Sequence, residues 1–392
     1  MLLTPAIAYA ACLVALAYLA YIVASPPAWP EDFRYIWRAG HLWSQGIDPY
    51  GPAYAAMNFA YPDAQRMSGW VYPPHWFGLA APFGIMAYPA AFALWKTASS
   101  LLFIVGSALA WRRLALPARL TPTHLAWMLA FALTMTGVGG MLRTGQPAIV
   151  AYLGLCVVIV AIQQERRALL ALGLIIAMSK PQIGLPFACL LLFHRDSRPS
   201  VVAAAILTAI ASLPGLYFAE PGGGFFGMLR SGGSEYHSIS VNSANSMSGL
   251  FHVVARATSW EVSVLPTTII AAVMATGIGA WLLLPGRLSR SAALEAIVIS
   301  GVCVTIAITL FHGHDLSIAL LLLPLLRRLD RAGLALAGAG YLMLWRPENV
   351  LRPIADNDAA WADLTTVGIT LIVIAFVRRL AAIRRDASAV RA

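Results

Sequence analysis

The stretch Glu31-Asp32-Phe33-Arg34-Tyr35-Ile36-Trp37-Arg38-Ala39-Gly40-His41-Leu42-Trp43-Ser44-Gln45-Gly46-Ile47-Asp48-Pro49-Tyr50 follows a run, Met1 to Pro30, that holds no charged residue. A run of that length crosses a bilayer as a helix, so two acids fall where the first helix leaves the membrane. Read as a helix, the stretch puts Phe33, Ile36, Trp37, Gly40 and Trp43 on one side and Arg34, Arg38, His41 and Gln45 on the other. A helix of this kind is expected to lie in the membrane plane, with its aromatic rings among acyl chains and its arginines among lipid phosphates. Pro30 suits a helix start, and acids in a first turn complement the helix dipole. Asp32 therefore has two readings: a residue that opens the helix, or a carboxylate held at the water boundary of a membrane site, where it can act as a general base.

Composition places the rest of the chain with this opening. Of its 392 residues 59% are hydrophobic and 11% charged, far below the roughly 25% charged residues of soluble domains. Long charge-poor runs without a polar alternation every second residue predict a bundle of helices, not a barrel. The net charge of +10 comes largely from arginines in short loops and the tail, among them Arg327, Arg328, Arg331, Arg378, Arg379, Arg384 and Arg385. That is the pattern of cytoplasmic loops, and it removes the need for a nucleic-acid partner. Cys12, Cys156, Cys189 and Cys303 stand in apolar runs with no metal-like spacing, so no disulfide framework is expected. The first run lacks a preceding basic residue and a good cleavage site, and reads as an anchored helix, not a removable leader.

After an irregular stretch from Gly51 to Gly69, Trp70-Val71-Tyr72-Pro73-Pro74-His75-Trp76-Phe77 opens a run to Trp111, whose length allows one tilted span or two short ones. Spans follow at Leu120 to Leu142, Pro147 to Ile162, Ala168 to Phe193, Val201 to Phe218, Val262 to Leu284, Ala292 to Phe311, Leu316 to Leu326, Ala332 to Trp345 and Leu364 to Val377. With the inserts, this predicts an all-α polytopic membrane protein of roughly 11 to 13 transmembrane helices in a single domain over residues 1–392. Its parts are a first helix (1–30), a first loop (31–70), a second large loop (220–261) and a basic tail (378–392). Arginine-rich turns set the ends, with loops Glu220 to Glu261 and Arg346 to Asp363 outside; the parity between Trp70 and Arg195 stays open. The chain has two lysines. Lys96 is expected to snorkel, whereas Lys180, in the Ser179-Lys180-Pro181-Gln182 break of an apolar run, demands a partner or a watery cavity.

The run Asp32-Phe33, Trp37, Ala39, Gly46, Asp48, Pro49 and Tyr50 resembles the first extracytoplasmic loop of glycosyltransferase family 87, membrane enzymes of the GT-C type. The Tyr72-Pro73-Pro74 return to the membrane, the Gly145-Gln146 pair and Lys180-Pro181 are similar to family features too, while Arg34 and Trp37 replace more usual residues. The resemblance implies sugar transfer, most often of mannose, from a polyprenyl-phosphate carrier to a lipid or glycan acceptor at the extracytoplasmic face of a bacterial-type inner membrane. It carries the catalytic base onto Asp32 and a catalytic or phosphate-binding role onto His312 and His314 of Phe311-His312-Gly313-His314-Asp315. Without the resemblance this cluster also reads as a helix start; a metal is not expected, since histidines two apart diverge on a helix.

Donor phosphate or lipid binding is expected of Lys180 and Gln146, in the segments that resemble the family, and of the cations Arg143 and Arg230. Sugar or acceptor contacts fall on Glu31, Tyr50, Asn242, Asn245 and Ser246. The second loop keeps only the leading Asn of the family's Asn-Gln-Ser-Leu segment at Asn245-Ser246-Met247-Ser248, so arabinofuranose stands as an alternative sugar. Inversion at the sugar carbon needs a base and cations for the departing phosphate, and a monophosphate leaving group requires neither metal nor cofactor. The rival classes are a lipid or solute transporter and a non-catalytic scaffold of a cell-envelope complex. A transporter usually shows internal repeats of its span pattern, which this sequence lacks.

Overall fold

The computed structural model describes residues 4–26, 32–57, 70–116, 119–219, 224–230, 247–258, 264–284, 288–309, 312–346 and 358–389, and these contain helices and no β-strand. In chain order the helices are α1 Pro5–Ala24, α2 Phe33–Ser44, α3 Pro52–Ala56, α4 Phe77–Gly84, α5 Tyr88–Leu114, α6 Pro122–Thr134, α7 Thr136–Thr144, α8 Ala148–Gln164, α9 Arg167–Ala177, α10 Pro181–Leu191 and α11 Arg198–Tyr217. They continue as α12 Gly224–Arg230, α13 Leu250–Thr258, α14 Val264–Leu282, α15 Arg290–Ile308, a 3₁₀ helix Gly313–Arg328, α16 Arg331–Trp345 and α17 Asp358–Ala389.

Among the described residues six helices are long and apolar enough to cross a membrane alone: α1, α5, α11, α14, α15 and Trp361–Ala387 within α17. A seventh span forms if α6 and α7, bent by 66° at their junction, count as one. The expected 11 to 13 is therefore not met by full-length helices. The remaining apolar runs are short pieces, because proline, glycine and polar breaks divide them. Pro5–Ala24, Arg198–Tyr217 and Val264–Leu282 turn apolar side chains such as Leu13, Val14, Leu213 and Val273 outward, as lipid-facing helices do. Helix α15 is buried along nearly its whole length and forms the centre of the bundle.

The run Leu316 to Leu326, short for a span, is part of the 3₁₀ helix. Rising about 2 Å per residue, its 16 residues reach roughly 30 Å, the thickness of the hydrocarbon core.

The two ends of the bundle differ in charge. At one end Arg328 donates to the carbonyls of Leu114 and Leu116, Arg290 pairs with Glu165, and Arg384 stacks over Trp281 at 3.8 Å. Glu295, buried on α15, holds Arg328 and Arg379 there, the latter with Nε at 2.7 Å from Oε1. These contacts bring the last turns of α5, α8, α14 and the 3₁₀ helix to one level. They also settle the open parity: α9 rises from this arginine-rich end to Lys180 and α10 returns to it. The opposite end collects Asp32, Gln146, Lys180 and His312.

Helix α2 departs from its expected place. Its apolar side, with Phe33, Ile36, Leu42 and Trp43 buried, packs on protein and not on acyl chains. A Cβ on Gly40 would fall 2.0 Å from the carbonyl oxygen of Ala80, and one on Gly84 2.0 Å from the carbonyl carbon of Gly40, so α2 and α4 cross with their backbones in contact. Trp37 Nε1 donates to the Met86 carbonyl at 2.9 Å, and His41 Nδ1 lies 3.0 Å from that of Gly84. Arg38 is buried, donating from Nη2 to the Met57 carbonyl at 2.6 Å over the ring of Tyr54, and not among lipid phosphates. Lys96 does not snorkel: it is buried, and its Nζ donates to the Ser25 carbonyl at 2.7 Å, where it satisfies the C-terminus of α1.

Candidate active site

Asp32 stands at the N-cap of α2, yet its side chain makes no capping hydrogen bond to that helix. Its carboxylate meets the side chains of Thr144 and Gln146 instead. The local sequence explains how they reach it. Helix α7 ends at Gly145 in a left-handed conformation, φ +72°, and a Cβ there would lie 2.6 Å from Cβ of Phe33. Glycine thus permits both the turn and the approach of the residue after Asp32. The turn leaves Gln146 buried with its amide toward Asp32, while its Oε1 has no hydrogen-bond partner. Thr144, whose hydroxyl lies 3.0 Å from the Gly140 carbonyl, can give its one proton to either acceptor.

Lys180 and Asp315 form the second part. The chain breaks between α9 and α10 at Met178-Ser179-Lys180, and Pro181 restarts the helix with Lys180 at its N-cap. Gly154, Gly173 and Gly184 let α8, α9 and α10 approach to backbone contact and hold this break deep in the bundle. Trp76 ties the Tyr-Pro-Pro-His-Trp segment to it, donating from Nε1 to the Ser179 carbonyl at 2.8 Å. Lys180 Nζ lies 2.5 Å from Asp315 Oδ1, both side chains being buried. Asp315 is in the first turn of the 3₁₀ helix, which α7 approaches so closely that a Cβ on Gly137 would fall 2.2 Å from the Gly313 carbonyl oxygen. His314 Nε2 is 3.8 Å from Asp315 Oδ2, and the His312 and His314 rings stack at 5.2 Å.

The two parts share one electrostatic environment. Burial pushes the Asp32 carboxyl up to about 6, against the hydrogen bonds from Thr144 and Gln146 and the attraction of Lys180; the Asp315 charge adds to the rise. Burial pushes His312 down to about 4, with Asp315 opposing and Lys180 assisting the fall. Near neutrality Asp32 is an ionised base of raised basicity, and His312 is an uncharged imidazole. The histidine can therefore donate or accept a hydrogen bond, but it does not serve a phosphate as a cation.

Of the residues singled out in the sequence, Asp32, Gln146, Lys180, His312 and His314 come together at this end. Arg143 is exposed on α7. Arg230 is the last residue of α12, whose first residue sits beside Asp48. The Tyr50 hydroxyl donates to the Tyr72 carbonyl at 2.5 Å and braces the first loop against the Tyr-Pro-Pro segment. Glu31, Asn242, Asn245 and Ser246 lie outside the described residues. The exit of their loop is described: the Gly249 amide donates to Thr366 Oγ1 at 3.2 Å, and Gly249 packs on the Thr309 carbonyl, three residues before His312. Among the described residues no three His, Cys, Asp or Glu side chains converge as a metal ion requires.

Sequence reasoning missed Thr144 and the pairing of Asp315 with Lys180. The signal for the second was present, since a lysine inside an apolar run requires a counter-charge, but nothing in the spacing says which acid supplies it.

The profile of glycosyltransferase family 87 matches residues 70–312. The match covers more than half of the chain, which thus belongs to that family and is a membrane glycosyltransferase. It begins at the last residue of the first loop and ends on His312, so the placing of Asp32 opposite Lys180 and Asp315 rests on the structure and not on the match. No curated protein matches the chain.

Proposed function

We propose that this glycosyltransferase moves a hexose, mannose in the first instance, from a polyprenyl-phosphate carrier to a lipid or glycan acceptor, with inversion and with Asp32 as general base. The observation that carries the reading is the direction of the Asp32 carboxylate. It leaves its own helix uncapped and turns to Thr144 and Gln146, within the field of Lys180 and Asp315. A residue that served only to open a helix would bond the backbone amides of that helix.

In the reaction Asp32 takes the proton of an acceptor hydroxyl while that oxygen bonds to the anomeric carbon from the face opposite the phosphate. The bond from the anomeric carbon to the phosphate oxygen breaks, and the electron pair leaves with the polyprenyl phosphate. Lys180, drawn partly from Asp315, balances the charge that develops on that phosphate, with neutral His312 as a hydrogen-bond donor beside it and His314 stacked on His312. The isoprenoid lies in the bilayer between short helices at this end. Arginine retention in cytoplasmic loops supports a site at the outer face of a bacterial-type inner membrane.

The test is transfer by the purified protein in proteoliposomes, with polyprenyl-phosphate mannose, glucose and arabinofuranose offered separately alongside extracted lipids and glycans. The expected product from a β-linked mannosyl phosphate is an α-mannoside, identified by its one-bond C1–H1 coupling. Arabinofuranose transfer alone would move the enzyme to the pentose branch. Transfer from none of the three would leave the polyprenyl-phosphate reading without support and raise the scaffold and transporter readings.

A further inference from the structure

At the arginine-rich end, opposite the candidate active site, a cavity of about 610 Å³ opens between the α10–α11 turn and the α14–α15 junction. Its floor is apolar, built by Phe193, Leu283, Leu284 and Leu288; its rim carries Arg195 and Arg198 with one acid, Asp196. The turn that presents the arginines is held by its own hydrogen bonds. His194 Nδ1 lies 2.8 Å from Ser197 Oγ, and the amides of Ser197 and Arg198 both donate to the His194 carbonyl. Arg198 is further fixed by Nε, which donates to the Leu192 carbonyl at 2.7 Å. That bond uses one of the five N–H donors of the guanidinium. Helix packing fixes the floor, because a Cβ on Gly279 of α14 would come within 2.8 Å of the Phe193 ring.

The cavity therefore joins three properties: a net positive rim, an apolar floor that continues into the outward face of the spans through exposed Leu284, and the level where the spans end. A soluble phosphate needs only the first. An amphiphile with an anionic head and acyl chains uses all three, and basic pockets between spans at this level suit such heads. The volume accommodates a headgroup with the first carbons of its chains.

We infer that this cavity binds an anionic glycerophospholipid of the adjoining leaflet, its phosphate between Arg195 and Arg198 and its chains along Leu283, Leu284 and Leu288. The site is separate from sugar transfer, and its occupant ties α10, which carries Lys180 at its other end, to α14.

The full chain in neutral detergent, titrated with phosphatidylglycerol or phosphatidylcholine and followed by native mass spectrometry and thermal unfolding, tests this. Phosphatidylglycerol is expected to be retained and to raise Tm, and Arg195→Ala/Arg198→Ala to weaken its binding at least tenfold. The same charge change elsewhere on this end, Arg166→Ala/Arg167→Ala, is expected to leave binding within twofold. Leu284→Glu, at an exposed position that the fold does not need, is expected to weaken binding by repelling the head and wetting the chain path. Equal losses in both double variants would reduce the effect to diffuse surface charge and overturn the site. Equal retention of phosphatidylcholine would overturn the anionic preference. Glycerol 3-phosphate binding as tightly as the lipid would replace the lipid by a soluble phosphate ligand.

Discussion

On the proposed mechanism, Asp32→Asn is expected to abolish sugar transfer and at the same time to make the protein more stable at neutral pH. The first effect follows from removing the proposed base, a loss on the order of 10²- to 10⁴-fold in kcat/KM. The second follows from the direction in which burial moves the carboxyl. Raised from 3.8 to about 6 in the fold, Asp32 binds its proton more tightly in the native than in the unfolded chain. Stability therefore falls as pH rises from about 4 to about 6, and the full cost of keeping the carboxylate buried is present above that window. A carboxyl held so far above its ordinary value corresponds to roughly 3 kcal/mol, and partial exposure of the residue brings the expected gain for the neutral amide to about 2 kcal/mol. Thermal unfolding of parent and variant at pH 7.5 and at pH 4.5 reads the effect: a higher Tm for Asp32→Asn at the first pH and about a third of that gain at the second. A helix-capping role predicts little change at either, because Asn caps as well as Asp.

The second large effect concerns Lys180 and Asp315. Lys180→Met leaves Asp315 buried without its counter-charge, which costs about 3–5 kcal/mol in such settings, and on the proposed mechanism transfer is expected to be lost with it. Lys180→Met/Asp315→Asn removes both charges and is expected to recover most of that stability, since a neutral pair has no uncompensated ion. Transfer is expected to stay lost in the double variant, because the cation proposed to receive the phosphate charge is absent. Unfolding in graded SDS and the transfer assay on the same preparations separate the two outcomes. Recovery of transfer together with stability would make the pair purely architectural and would move the phosphate elsewhere.

Much of this arrangement is legible in the sequence. The charge-free first run, the acids after it and the spacing of Phe33, Ile36, Gly40 and Trp43 define a helix with Asp32 at its start, and that helix is there. The break at Ser179-Lys180-Pro181 is likewise visible, because proline and a buried charge cannot continue an apolar helix unnoticed. What stayed hidden is the identity of neighbours. An apolar helix face has the same pattern whether it meets lipid or protein, so α2 read as a surface helix although Gly40 and Gly84 bring it against α4.

Lys96 and Arg38 illustrate the same limit. Each has a stem long enough to reach water, but each directs its charge to backbone carbonyls, of Ser25 and Met57, that a linear sequence does not place nearby. Lys180 and Asp315 are separated by 135 residues, and only the closing of the bundle pairs them. Among the described residues fewer helices cross alone than the runs counted from the sequence, because proline and polar breaks such as Ser179-Lys180-Pro181 divide apolar runs into short pieces such as Arg167–Ala177 and Pro181–Leu191.

The most direct test of Asp32 as the base is the pH dependence of kcat/KM for sugar transfer by the parent enzyme, measured between about pH 4.5 and 8.5, with Gln146→Leu beside it. A sugar phosphodiester donor does not titrate in this range, so the profile reports the enzyme. The expected result is activity that rises with pH to a plateau, half-maximal near 6. In Gln146→Leu the midpoint is expected to move upward, because the lost amide hydrogen bond favoured the ionised carboxylate. A profile flat through this window, or a midpoint that Gln146→Leu leaves in place, would contradict the assignment of the base to Asp32.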